Sequence, residues 1–144
     1  MSLPAYNFAY LDEQTTRMIR RAVLKAIAIP GYHLATLDAA CALQDDFPAI
    51  RLLFDSYHAR VMGQAPAAWV TANAGRIGHV HIADHPGRRE PGSGGIDFAA
   101  LRAALGRARY EGAIGFEYIP TSTTTASLGF LPGWARGLTE SCST

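Results

Sequence analysis

The chain has 144 residues, 49% hydrophobic and 17% charged, with a formal net charge of +1. That length suits one domain with a buried core, and the charge balance gives no electrostatic case for a nucleic-acid or membrane partner. No apolar run approaches the ~20 residues that span a bilayer, and Met1-Ser2-Leu3-Pro4 has neither the basic nor the apolar region of a secretory signal.

Leu11, Thr15, Met18, Ile19, Ala22, Val23, Ala26 and Ile27 recur at helical spacing and predict a helix over residues 11–28, with Arg17, Arg20, Arg21 and Lys25 on its other faces. Asp12 and Glu13 favour its start, and Pro30-Gly31 stops it. A second helix is predicted over 34–43. Cys41 falls in its apolar pattern and is expected to be a small buried side chain. Cys142 lies in a polar tail, so no disulfide framework is expected, and the cytoplasm is the expected compartment.

Residues 50–54 form a short apolar run that predicts a buried strand ending at Asp55. A helix is predicted over 66–74, with Pro66 tolerable in its first turn. Residues 78–83 predict the next strand, and 84–95 form a polar loop rich in Gly and Pro. Phe98, Leu101, Leu105 and Ala108 mark a helix with Asp97 as its N-cap. Residues 113–116 predict another strand, ending at Glu117. A Ser/Thr loop over 121–125 and a short helix within 128–138 complete the pattern. Strands alternating with helices imply βαβ units and a parallel sheet.

Asp55, His81 and Glu117 stand at or near strand ends, each separated by about one βα unit. Parallel strands bring their C-terminal ends to one face, where sites form in barrels and open sheets alike. A mixed oxygen and nitrogen set suits Mn²⁺, Co²⁺, Fe²⁺ or Zn²⁺, and Mg²⁺ less well. Spacing alone leaves a second reading open, in which the carboxylates are caps or loop acceptors and His81 is a hydrogen-bonded core side chain. His58 could bridge Asp55 to a backbone group. His79 shares the His81 face if the strand is regular. His85, Arg89 and the Arg20-Arg21 pair read as solvated, and Trp69, Phe98, Phe116 and Trp134 as core.

Leu53-Phe54-Asp55-Ser56-Tyr57-His58 resembles the D-x-Y-H segment of the hydroxypyruvate isomerase family. The stretch from Gly78 to Gly92 resembles its third ligand strand and the long PGR-x-EPG loop, and Gly115-Phe116-Glu117-Tyr118-Ile119-Pro120 its final G-x-E-Y strand. Ile29-Pro30-Gly31-Tyr32 resembles an earlier PG-aromatic step, so the match runs in order over residues 29–134. The resemblance implies an α/β fold, a xylose-isomerase-like (β/α) barrel. A full barrel takes about 250 residues, so the expectation is a truncated or partial barrel of about three to four βα units. This would be one domain over residues 1–144, with an atypical N-terminal helix at 1–28, the family-like region at 29–134 and a tail at 135–144.

By the same resemblance, Asp55, His81 and Glu117 hold a divalent metal ion (Mn, Co or Mg, with Zn a further option). Glu117 also moves the proton, His58 and Arg88 face the substrate, and Glu90 binds substrate or orients the loop. The implied reaction is metal-assisted isomerisation of a small hydroxy-keto acid or ketose through an enediolate. Exposed sheet edges in a partial barrel imply a homo-oligomer.

Several positions depart from the family. It usually has Gln at the position of His81, where His resembles the ketose 3-epimerases. Gly95 and Ile119 replace an acidic and a basic residue. The first ligand Glu should fall near Ala22, yet no carboxylate lies between Glu13 and Pro30. The helical periodicity there predicts that the strand bearing it is lost or rebuilt. Two alternatives to an isomerase follow: a non-catalytic remnant that binds a metal or sugar acid, and a truncated piece of a longer enzyme with no activity of its own.

Overall fold

The computed structural model describes residues 23–134. Four parallel strands form one sheet in sequential order: β1 (Val23–Lys25), β2 (Arg51–Asp55), β3 (Ile77–Ile82) and β4 (Ile114–Phe116). The helices between them are α1 (Leu37–Asp46), α2 (Ser56–Val61), α3 (Pro66–Asn73) and α4 (Phe98–Arg107). A short α5 (Thr124–Ser127) follows β4 and runs into a 3₁₀ turn, Leu128–Phe130, and a helical turn over 131–134.

The first predicted helix needs correction. Its residues 11–22 lie outside the described residues, but Val23–Lys25 is a strand, with Lys25 in register with Leu53 of β2. A short apolar run suits either structure locally, and pairing with β2 decides it. Smaller differences concern α1, which starts and ends three residues later than predicted because Thr36 caps it, accepting from the Ala39 N–H at 3.1 Å. The one-turn helix α2 went unpredicted, and α5 begins inside the expected Ser/Thr loop. Asp97 caps α4 as expected, accepting from the Ala100 N–H at 2.8 Å.

Alternation along the strands divides the sheet into two faces. Leu52 and Phe54 of β2 and Val80 and Ile82 of β3 are buried, packing with Trp69 and Val70 of α3 and Leu101 and Leu105 of α4. Phe54 stacks on Trp69 with ring centroids 5.1 Å apart. Buried Gln44 of α1 is satisfied by donating to the Ile50 and Arg76 carbonyls at 2.8 and 3.1 Å, tying the helix to the starts of two strands. Trp69, Phe98 and Trp134 are core side chains, with Phe116 packed against them. Cys41 is half-buried at the core margin, less enclosed than predicted. Among the described residues no helix is long and apolar enough to cross a membrane.

The other face of the sheet carries Lys25, Leu53, Asp55, His79 and His81. Apart from Leu53 this row is polar and would be costly in a core facing helices; it is the face of the sheet turned away from the apolar core.

Candidate metal centre

Each site residue sits where a strand ends. Asp55 closes β2 opposite His81 of β3, and His81 in turn faces Gly115 of β4. Glu117 follows β4 directly, its N–H donating to the Ile82 carbonyl at 3.1 Å, which continues the ladder by one step. A Cβ on Gly115 would lie 3.0 Å from the His81 ring, so glycine there leaves room for that imidazole. His79 does share the His81 face, with ring centroids 4.8 Å apart. Desolvation, followed by the neighbouring His81 and Lys25 charges, lowers the His79 pKa.

One ligand atom from each of Asp55, His81 and Glu117 lies within 4.8 Å of the others, a group that could hold a metal ion. The buried Asp55 carboxylate divides its labour. Oδ1 accepts from the backbone N–H groups of Tyr57 and His58 at 3.0 and 3.1 Å, capping α2. Oδ2 makes no aligned hydrogen bond and is turned towards the cluster. Oδ1 meets the cap reading of Asp55, and Oδ2 is the oxygen that the ligand reading would use. Two carboxylates and an imidazole form a donor set that fits a divalent ion, and Oδ2, which makes no aligned hydrogen bond, offers it a lone pair.

Lys25, at the end of β1, joins this group. Its Nζ lies 2.7 Å from Asp55 Oδ2, 2.6 Å from Glu117 Oε2 and 3.5 Å from His81 Nδ1. His81 Nδ1 is 2.8 Å from Glu117 Oε2, and that contact makes Nδ1 the donor. The other Glu117 oxygen, Oε1, pairs with Arg88 Nη2 at 2.9 Å. Partial burial would raise the Glu117 pKa, but the Lys25 hydrogen bond and charge, His81 and Arg88 outweigh it and hold the carboxyl at about 2.

A folded pKa below the unfolded value of about 4.3 fixes the sign of the pH response. The stabilisation is complete above the unfolded value and is lost as pH falls towards the folded one. Unfolding free energy measured between pH 5 and 2 is expected to drop more steeply in the wild type than in Glu117→Gln; parallel slopes would contradict this pairing.

The remaining sequence candidates fall around this centre in different roles. Arg88, at φ +55°, reaches Glu117 and lies 5.9 Å from the Tyr57 ring centroid; its carbonyl accepts from the Ile119 N–H at 2.7 Å. His58 is buried, and its Nδ1 accepts from the Ala28 N–H at 3.3 Å. Burial comes first among the influences that lower its pKa, and with Nδ1 accepting, the neutral ring carries its proton on Nε2. His58 thus ties the chain leaving β1 to α2.

Glu90 accepts from the Thr121 N–H at 3.0 Å and from the Thr121 hydroxyl, an anchor between the β3–α4 loop and the segment after β4. Arg89, expected to be solvated, instead donates to the Ile119 and Pro120 carbonyls at 3.3 and 3.2 Å. Long guanidinium stems make such carbonyl capping common at loop junctions, and a single sequence does not reveal it. His85 lies 5.9 Å from the Tyr57 ring and is half-buried rather than solvated.

Sequence reasoning missed three residues. Helical periodicity puts Lys25 on a helix face; the signal for its role is its place just before the PG-aromatic step, near where the resemblance expects a ligand. Asp84 is fully buried and accepts backbone N–H groups from His85, Gly92, Gly94 and Ile96 at 2.7, 2.9, 2.8 and 3.1 Å, so one carboxylate organises the whole β3–α4 loop. Ser56, also fully buried, both donates to the Ala83 carbonyl and accepts from its N–H, locking α2 to the end of β3.

A model of the xylose isomerase-like TIM barrel family matches residues 9–134. The hydroxypyruvate isomerase of Escherichia coli is 37% identical over 105 residues, 72% of this chain and 41% of that protein. The chain therefore spans about two fifths of the length of the curated relative it matches. A short match of another kind, 76% identical over 33 residues, is to the E. coli alpha-D-ribose 1-methylphosphonate 5-phosphate C-P lyase, covering 23% of this chain and only 12% of that protein. Among solved structures, the AP endonuclease, family 2, of Brucella melitensis superposes with a TM-score of 0.72 at 26% identity, over 83% of this chain and 48% of that one. The parallel sheet, the strand-end cluster and the motifs that resemble hydroxypyruvate isomerase agree with these likenesses, and the chain belongs to the xylose isomerase-like TIM barrel family.

Proposed function

We propose that the centre isomerises a small hydroxy-keto acid or ketose by moving a proton between adjacent carbons through an enediolate. The observation that supports this most is the convergence of Asp55, His81 and Glu117 at the C-terminal ends of neighbouring strands. A divalent ion held by these three (Mn, Co or Mg, with Zn a further option) would polarise the carbonyl and hydroxyl oxygens of the substrate.

The side chains divide the remaining work. In this reading Glu117 takes and returns the proton, and its partial exposure supports access by a substrate. Arg88 can orient a substrate carboxylate from the loop side, with Glu90 fixing that loop through Thr121. His58 contributes by holding the β1 exit to α2. The reading includes a cytoplasmic homo-oligomer of single-domain chains, in which copies cover the outer edges of β1 and β4; these edges are unpaired among the described residues.

One observation favours a second reading, a remnant that binds without turnover. Lys25 occupies the β1 strand end, close to where the resemblance calls for a carboxylate ligand.

The test uses one size-characterised sample assayed with hydroxypyruvate in the presence of Mn²⁺, Co²⁺ or Mg²⁺, with metal content measured alongside. Turnover that a chelator abolishes supports the isomerase. Bound metal without turnover supports the remnant, and turnover indifferent to chelation refutes the metal-assisted mechanism.

A further inference from the structure

The ligand set leaves the Lys25 ammonium unexplained. It stands within 2.7 Å of the one unbonded oxygen of Asp55, within 2.6 Å of Glu117 Oε2 and within 3.5 Å of His81 Nδ1. These are the three residues that could hold a metal ion. We propose that Lys25 is a tethered cation that competes with divalent metal for the position shared by Asp55, His81 and Glu117, so that metal enters only as the ammonium leaves.

Geometry carries the first part of the case. Oxygen and nitrogen ligands approach transition metals at about 2.0–2.2 Å, so an ion bound to all three residues would overlap the ammonium. Both cations are drawn to the same point by the same carboxylates. The backbone of Lys25 cannot retreat to relieve the conflict, because β1 is paired to β2 in register with Leu53. Only the four-carbon stem can move, and its partial exposure provides a way out to solvent.

Charge carries the second part. Asp55 and Glu117 bring two negative charges, and Lys25 and Arg88 bring two positive ones, all within direct ion-pair distance. The centre is therefore balanced by this chain's own residues. The Asp55 side chain is only 1% exposed, so its charge needs a close counter-charge. A divalent ion added beside Lys25 would leave an excess of positive charge, whereas one that displaces it keeps the carboxylates neutralised. The inference rests on the proposed metal position and adds what controls access to it.

The experiment is Mn²⁺ binding to the full chain, followed by the loss of free Mn²⁺ signal in electron paramagnetic resonance, for the wild type, Lys25→Arg, Lys25→Gln and Lys25→Glu. The expected result is weak binding by the wild type and Lys25→Arg. Lys25→Gln should bind at least ten-fold more tightly, and Lys25→Glu more tightly still through an added oxygen donor. Equal affinity of the wild type and Lys25→Gln overturns the competition and leaves the metal position standing. Failure of every variant to bind Mn²⁺ overturns both. If Lys25→Gln does not fold, the wild type decides the matter through acetylation of Lys25 with and without saturating Mn²⁺, mapped by mass spectrometry. A several-fold faster reaction with metal supports displacement, and an unchanged rate overturns it.

Discussion

Glu117→Gln is expected to lower isomerase kcat by about 10²–10⁴, the range over which a positioned acid or base accelerates proton transfer, while leaving the fold intact. Glutamine keeps the shape, and its single amide oxygen still accepts from Lys25 and His81 while its NH2 group faces Arg88, but it cannot take up a proton. Glu117 lies after the last residue of β4 and is about half exposed, so no buried packing depends on its charge. Activity measured beside circular dichroism separates the two effects. Full wild-type kcat in a folded variant would end the proton-transfer role, and a fall in KM affinity alone would recast Glu117 as a binding residue.

The second large effect is expected at a residue that touches no substrate. Asp84→Ala removes the acceptor for four backbone N–H groups in the loop that carries Arg88 and Glu90. Alanine cannot replace any of these bonds, and donors near a buried site are costly to leave unmet. We expect a loss of roughly 3 kcal/mol in unfolding free energy, limited by how far the loop can open to water. The neighbouring chain path is tight: a Cβ on Gly94 would meet the His85 carbonyl and would lie 2.7 Å from Asp84 Oδ1, so this glycine permits the backbone to wrap the carboxylate. Hydrogen exchange at Gly92, Gly94 and Ile96 should accelerate well before global unfolding. Unchanged protection at those amides would show that Asp84 does not hold the loop.

Much of the β3–α4 region could be read from the chain itself. The apolar residues of β3, the Gly- and Pro-rich loop and the spaced Phe98, Leu101 and Leu105 of α4 each carry a local signal strong enough to place the element. Asp55, His81 and Glu117 could be selected because a parallel sheet gathers strand ends, a property of topology that any three βα units share. Asp84 could not be recognised, because a carboxylate satisfied by its own loop looks in sequence like any polar residue after a strand. The role of Arg89 is hidden for a similar reason: the carbonyls it reaches are about thirty positions away in the chain.

From β2 onward, the alternation of strands with the longer helices, the apolar face that these elements bury and the family to which the motifs point are all legible in the sequence. These rest on periodicity and short-range chemistry, which act within a few residues. Tertiary structure alone decided the state of residues 23–25 and the role of Lys25. Helical spacing and strand pairing were both open to that segment, and hydrogen bonds to β2 can form only once a distant strand is in place. With the strand formed, Lys25 is set among two carboxylates and a histidine at or just beyond the ends of three other strands, and its charge acquires a meaning there that its neighbours in sequence do not supply.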